Sequence, residues 1–505
     1  MARAVVAQDV NGDFLRVAGA DSLQAPLAAA VEGLNSQRIS RHMAFLADPR
    51  REGRGLGTRG LDATVQYLVN QLKAAGIPPM GGSYLQPVPM RQVIPEAGTI
   101  SLHTWSGTLE FRVGRDAVLP TMEPGIYSGP LVFVGHGIQE PTLGHDDFRG
   151  LDVRGKVVVF LAGCPPGADW LKPEIIAKYA SERLADRYDS RMAVLEKLGA
   201  LAGIAIEEGL DHRIAEGKEP VFPYFLAASG VPVIGEPPLA RVAMIPGLLT
   251  AISSGLPGTA SLNPRGQVRP YRGFNVIGKV KGTNPALGDE AILMGAHMDH
   301  LGMPGGILHP GADDNASGVA ALLEITRAIA GKSAHLQRTI LIAFWTGEEE
   351  GKFGSGHYTR HPRWPLAATK AYLNLDMIAH PWTPAELRTL AVESGMKNPN
   401  GFLDGLDPNH FAEPGLSSGH RDLGPILIQA GRGTGMSLHL DWTDGRNGGS
   451  DYRDFARQDL PFVRFFGNYF PGYHKPGDTL DQLNPGQVRR MAQLVLATAW
   501  LLADR

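Results

Sequence analysis

Apolar positions recur with two different periods along the chain, and the places where the period changes outline its organisation. Leu61, Val65, Leu68 and Leu72 fall at helical spacing, and Gly76 stands where a C-terminal cap belongs, so 61–76 predicts a helix. The stretches 99–105 and 108–113 alternate and predict strands. From about Met122 the texture changes: 129–138 and 155–164 are β-rich, 190–200 is helical, and 202–208 reads as a short strand. Proline and glycine crowd residues 231–270, which reads as the exit from an inserted unit. After about Gly273 a strand–loop–helix alternation sets in, with strands at 290–297, 338–346, 371–377, 387–394 and 460–466 and a helix at 315–331. A last helix opens with Asn484 as cap and Pro485 at its first position, then buries Val488, Met491 and Val495. This alternation predicts an α/β domain with a largely parallel sheet. The expected division is one domain in two pieces, 25–120 and 269–505, around a β-rich insert, 121–268.

Composition narrows the function classes. A chain of 505 residues exceeds one ordinary core, and 43% hydrophobic with 20% charged residues is a globular balance. The formal net charge of -3 leaves no basic footprint, so nucleic acid is not an expected partner. No apolar run reaches the roughly 18 residues that a membrane span needs. The single cysteine, Cys164, excludes an internal disulfide and a cysteine-built zinc site, and reads as a small buried hydrophobe of the insert. The opening "MARAVVAQDVNGDF" lacks the apolar core of a signal peptide, although "VVAQ" resembles a cleavage region. The sequence carries no signal for an oligomeric state.

Ionisable residues gather where strands end. His297 and Asp299 follow one strand, Asp313 and Asp314 open the next helix, and Glu348, Glu349 and Glu350 follow the next strand. Asp376 ends another strand, and His474 lies in a turn after the last. In open α/β sheets ligands bind beyond the carboxyl ends of the strands, so five such groups form a constellation. The residue types suit paired zinc ions: one carboxylate bridges, and each ion takes an imidazole and a further carboxylate. Paired metals lower the pKa of a bridging water and polarise a carbonyl, and a carboxylate off the metal is needed to move the proton.

The stretches "HMDH", "GADDNASG", "GEEEGKFGS", "LNLDM" and "YHKPGDT" occur in the order found in the family-28 metallopeptidases, the co-catalytic zinc aminopeptidases and their carboxypeptidase and glutaminyl cyclase relatives, which this sequence resembles. "LADPRREGRGLGTRGLDATVQYL" and "GFNVIGKVKG" resemble the family's entry segments, and "YSGPLVFVGHGI" with "LDVRGKVVVFLAG" resembles a protease-associated domain. The resemblance implies a mixed, largely parallel sheet sandwiched by helices, interrupted by that insert. It implies two Zn²⁺ per chain, with Co or Mn as possible substitutes. His297 and Asp376 would hold one ion, Glu349 and His474 the other, and Asp314 would bridge them. Asp299 would fix the His297 imidazole by a hydrogen bond. Glu348 would activate the bridging water as general base, since Gly351 sets the Glu-Glu-any-Gly register and leaves Glu350 as the variable position.

Other residues have plainer readings. His300 and His309 receive no metal from the motif, Asp313 competes with Asp314 as the bridge, and Asp478 reads as a turn former or a partner of His474. Tyr469 and Tyr473 lie near His474 and could donate to an oxyanion, though each reads first as a packed aromatic; Asp451 lies in a stretch the family uses near its site, and helix capping explains it as well. The expected activity is an exopeptidase acting on peptides or small aminoacyl substrates, most simply an aminopeptidase. A carboxypeptidase or dipeptidase on the same fold would need a cationic cluster, for which Arg421, Arg432 and Arg446 are candidates. A single-zinc cyclase and a non-catalytic receptor-like protein are the remaining alternatives. The resemblance leans towards an extracytoplasmic compartment.

Overall fold

The run Ala291–His297 is buried at all seven positions because both of its faces are covered. Ile292, Met294 and Ala296 join Ile340, Ile342, Phe344, Leu373 and Leu375 in one core with helices Ser36–Leu46, Gly318–Ile329 and Pro485–Ala503. The alternate residues Ala291, Leu293, Leu341, Ala343, Trp345 and Tyr372 pack with Tyr358 and Phe455, from helices Phe353–Arg360 and Tyr452–Ala456. Period-two alternation thus feeds two apolar layers, which is why these strands read as continuous hydrophobic runs. Gly295 is required by the packing: a Cβ there would lie 2.4 Å from Trp345 Nε1 and 2.6 Å from the Tyr372 hydroxyl.

This computed structural model describes residues 6–8, 13–17, 20–119, 122–181, 184–219, 223–228, 237–254, 257–396 and 398–504. The chain divides into two units, Met1–Val88 with Arg272–Arg505, and Pro89–Tyr271. In the first, strand 291–297 runs parallel to both 339–345 and 369–376, and the latter is parallel to 462–466. Residues 276–280 join antiparallel to 340–344, and 415–416 antiparallel to 463–464, so the sheet is mixed with a parallel centre. Asn484 accepts from the amides of Gly486 and Gln487 and caps the closing helix as its sequence predicts.

The second unit holds an eight-stranded sheet whose strands 127–133, 157–161, 202–207 and 239–243 are parallel neighbours. Its edge includes Thr99–Thr104 and Gly107–Arg112, because 99–104 pairs with 258–263. The unit therefore takes in residues 89–120, which the sequence pattern had placed with the N-terminal piece. Cys164 is half-buried beside the cluster of Ile138, Trp170, Ile175 and Tyr179.

One element differs in kind from its expectation. Residues 387–394 were expected as a strand, but they belong to helix Pro384–Glu393. Thr383 accepts from the Glu386 amide while the Glu386 carboxylate accepts from the Thr383 amide, a capping box with Pro384 at its first position. Only Leu387 and Ala391, four residues apart, are buried on it. Among the described residues no helix is long and apolar enough to cross a membrane.

Candidate metal centre

The ligand-type residues of the motifs lie in the first unit, at the carboxyl ends of strands or in the loops and turns that follow them. His297 and Asp376 are the last residues of their strands, and Glu348 and Glu349 follow Thr339–Trp345. Asp314 lies in the irregular turn Ala312–Ser317 that leads into helix Gly318–Ile329. His474 occupies a turn beyond Phe462–Phe466 with a positive φ of 55°. These ends converge on a cleft of about 390 Å³ lined by His297, Asp314, Glu348, Glu349, Asp376 and His474, among others. A larger cavity of about 600 Å³ lies elsewhere, against Asp21, Gln24, Arg432 and Asp504, and contains none of these groups.

The donor atoms form two clusters around one carboxylate. His297 Nε2 lies 3.3 Å from Asp314 Oδ1 and 3.2 Å from Asp376 Oδ1. His474 Nε2 lies 3.1 Å from Asp314 Oδ2 and 3.2 Å from Glu349 Oε2. Two ligands of a tetrahedral zinc with bonds of roughly 2.0–2.1 Å stand about 3.3 Å apart, so both sets of separations fit that ion. The donor chemistry, imidazole and carboxylate without sulfur, fits as well.

The same proximity polarises the acids and bases. Burial opposes charge on His297, yet Asp376 and Asp314 outweigh it and hold the imidazole's pKa well above its ordinary value. Burial likewise opposes charge on Asp314, and hydrogen bonds from His297 and His474 with the charge of His300 drive it well below. Glu349 falls to about 2 for the same reason, and His474 rises to about 10 against its own burial. Glu348 is the exception. Burial pushes it up to about 8, against the pull of Lys352 and His297.

Hydrogen bonds around the cleft explain how the loops hold their shape. The Asp299 carboxylate accepts from the Glu348 amide at 3.2 Å and the Glu349 amide at 3.3 Å, so it fixes the glutamate turn. The His297 imidazole is 3.2 Å from the main-chain oxygen of Asp299, not from its carboxylate, and that contact orients the ring. Asp478 accepts from the amides of Asp313 and Asp314 at 2.8 and 3.0 Å, which clamps the turn that presents Asp314. Asp313 points away from the donors and accepts from Ser317 Oγ and the Ala379 amide. His309 lies outside both clusters, with Nδ1 near the Ile307 carbonyl. Glu350 is exposed at the rim.

Four residues with roles at the cleft were not singled out for them by the motifs. His300 is buried with Nδ1 2.6 Å from Glu349 Oε1. Arg54 is fully buried and donates to the carbonyls of Leu46, Met298, Pro310, Gly311 and Asp314, tying the entry segment to both ligand loops. Lys352 Nζ lies 3.0 Å from Glu348 Oε1, and Arg464 lines the cleft while bonding Asp441 at 3.2 Å. The "GRG" around Arg54 was the available signal for the second of these, and the four-residue spacing from Glu348 for Lys352; the other two had none. Asp451 precedes helix Tyr452–Ala456 without capping it, and burial pushes its buried carboxyl up to about 7 against the charge of His297. Tyr473 packs its ring 3.9 Å from that of His474, and Tyr469, 58% exposed, keeps ring contacts with Phe466 at 4.9 Å and Tyr473 at 5.2 Å. Arg421 lies over Trp442, Arg446 pairs with Asp459, and Arg432 lines the other cavity, so the three do not form one cationic cluster at the cleft.

Comparison with known proteins follows the same lines. The probable lipoprotein aminopeptidase LpqL of Mycobacterium tuberculosis is 27% identical over 481 residues, covering 89% of this chain and 81% of that protein. Leupeptin-inactivating enzyme 1 of Streptomyces exfoliatus is 28% identical over 239 residues, 46% of this chain and 48% of its own length. In fold the chain is similar to the aminopeptidase of Aneurinibacillus sp. strain AM-1, with a TM-score of 0.55 at 19% identity over 94% of this chain and 95% of that one. It is also similar to a zinc aminopeptidase of Bacillus subtilis, with a TM-score of 0.50 at 20% identity over 94% and 96% of the two chains. Residues 275–499 match the family model of Peptidase family M28 and contain all five motifs. The segment 275–499, which carries the motif residues, is therefore the part of the chain that is similar to Peptidase family M28.

Proposed function

We propose that this protein is a zinc-dependent aminopeptidase that binds two ions and releases N-terminal residues from peptides. The observation that carries the two-ion reading is Asp314: Oδ1 faces His297 and Oδ2 faces His474, as a bridging carboxylate must. His297 with Asp376 and His474 with Glu349 complete the two ligand sets. Bound zinc would supply a water of depressed pKa and a Lewis acid for the scissile carbonyl. Glu348 stays off both donor clusters, takes the proton from the attacking water, and hands it to the leaving amine. Lys352 holds the Glu348 carboxylate at Oε1, and Asp299 holds the main chain of the pair, so the base and the ligand keep their separate directions.

Recognition of an N-terminus is supported by the charges at the cleft. A free amine needs carboxylates, and the cleft is lined by more carboxylates than Lys and Arg side chains. A C-terminal carboxylate needs available cations, but Lys352 is engaged by Glu348 and Arg464 by Asp441. A complete bridged set argues against the single-zinc cyclase. We infer that the unit Pro89–Tyr271 is a protease-associated-like insert that shapes access and supplies no ligand. The likeness to a mycobacterial lipoprotein aminopeptidase supports an extracytoplasmic location.

The test is a panel of aminoacyl amides, N-blocked peptides and peptides varied at the C-terminus, assayed with and without chelator. Release from free N-termini alone, lost in chelator and restored by Zn²⁺, is the expected result. Equal cleavage of N-blocked peptides would refute the aminopeptidase assignment, and activity indifferent to chelator would refute the zinc.

A further inference from the structure

The second donor cluster contains one imidazole more than its ligand count requires. His474 Nε2 stands 3.2 Å from Glu349 Oε2, the separation expected of two ligands on one zinc. His300 Nδ1 stands 2.6 Å from the other oxygen, Oε1. That is well inside the roughly 3.3 Å between two ligands of a tetrahedral zinc, and it is the length of a charge-assisted hydrogen bond. The His300 Nδ1–Asp314 Oδ2 distance of 3.7 Å is too long for such a bond. Two imidazoles thus divide one carboxylate between them, each facing a different oxygen.

We propose that His300 is a positioning residue of the second metal pocket. Its Nδ1–H donates to Glu349 Oε1 and aims Oε2 at the point shared with Asp314 Oδ2 and His474 Nε2. An ionised carboxylate only accepts, so the contact assigns the proton to Nδ1. The ring is fixed before any metal arrives. Its side chain is 0% exposed, its main-chain amide donates to the Arg54 carbonyl at 3.2 Å, and the Gly311 backbone lies against one edge. A Cβ at Gly311 would meet His300 Cγ and Cδ2 at 2.5 Å, so that glycine leaves room for the ring. The opposite ligand, His474, sits in an open turn with 36% of its side chain exposed. The buried histidine therefore orients the carboxylate, and the more exposed histidine closes the site. Partners of this kind typically contribute about 10–100-fold to metal affinity when a ligand depends on them.

The inference rests on the two-ion reading, and the experiment separates the two. Zinc affinities of the first and second equivalents are measured by competition with chromophoric chelators on the full chain and on two variants. His300→Phe keeps a flat ring without a donor, and His300→Asn restores an N–H near the Nδ1 position. The expected result is a first equivalent unchanged in all three proteins. The second equivalent weakens by about 10–100-fold in the Phe variant and returns most of the way in the Asn variant. If the Phe variant fails to hold even the first ion, His300→Leu, which likewise has no donor, takes its place. A parent chain that binds a single ion overturns the two-ion reading and this proposal with it. A parent with two ions and a Phe or Leu variant of unchanged second affinity overturns the role of His300 alone. Equal loss in the Asn variant would make the imidazole itself a ligand and likewise overturn the positioning role.

Discussion

Glu348 and Glu349 are neighbours in sequence with opposite surroundings, and that contrast can be tested one side chain at a time. Glu349 faces two imidazoles and Asp314, so Glu349→Ala should lower zinc content and turnover together. Glu348 pairs with Lys352 at 3.0 Å and belongs to neither donor cluster, so Glu348→Gln should keep the full zinc content and lower kcat by about 10²–10⁴-fold with little change in KM. Glu350→Gln, at an exposed position, should be nearly silent. Metal analysis with steady-state kinetics on the three variants decides the register; a dead, zinc-replete Glu350→Gln would move the base by two positions. The ligand-type residues were legible in the sequence because few side chains do their chemistry and each follows a strand. His300 and Arg54 were not, because their roles arise from approaches that no spacing encodes, whereas Lys352 stands only four residues after Glu348. Arg54 reaches the Met298 carbonyl across 244 residues of chain, and His300 reaches Glu349 across 49.

At the scale of elements, helix Phe353–Arg360 brings the glutamate turn to a close and carries a pH-sensitive feature of its own. His357 is lowered to about 4, first by burial and then by the neighbouring charges of His361, stacked at 4.6 Å, and Arg360. Its folded pKa lies below the unfolded 6.5, so the neutral ring is favoured in the fold. The stability it contributes is fully present above about pH 6.5 and is lost as pH falls towards 4. In zinc-free protein, the melting temperature of the parent relative to His357→Gln should therefore decline across that window. A difference that stays flat from pH 7 to pH 4 would show that the ring titrates normally. Most elements were legible from period and caps, as Asn484–Pro485 illustrates. The stretch 387–394 misled because its short apolar repeat fits a strand as well as a helix. The deciding signal, Thr383-Pro384 with Glu386, lies just upstream of it.

The two-unit division of the whole molecule yields the most discriminating excision. His297, Asp314, Glu349, Asp376 and His474 all lie in the unit formed by Met1–Val88 and Arg272–Arg505. The alternation of 99–105 and 108–113 was visible in the sequence, but alternation does not say which sheet a strand joins, so the boundary was drawn at 120/121 instead of 88/89. Pairing supplies the answer: 99–104 with 258–263, and 117–118 with 241–242. Deleting 121–268 would strip those partners away and expose Ile100, Leu102 and Phe111, each 0% exposed in the fold. That variant should aggregate, since unpaired apolar strand edges template association. Replacing 89–271 by a short Gly/Ser linker removes the second sheet with both sides of its pairing. The shorter protein should stay soluble, bind the same number of zinc ions per chain as the parent, and hydrolyse small aminoacyl amides within about 10-fold of the parent rate, the loss of a single outer partner of a metal site being of that order. Its preference among longer peptides should change under the proposed role of the insert in substrate access. Size-exclusion chromatography, zinc analysis and the amide assay on both deletions would decide the matter. A folded 89–271 deletion without zinc would mean that the second unit helps to build the metal centre.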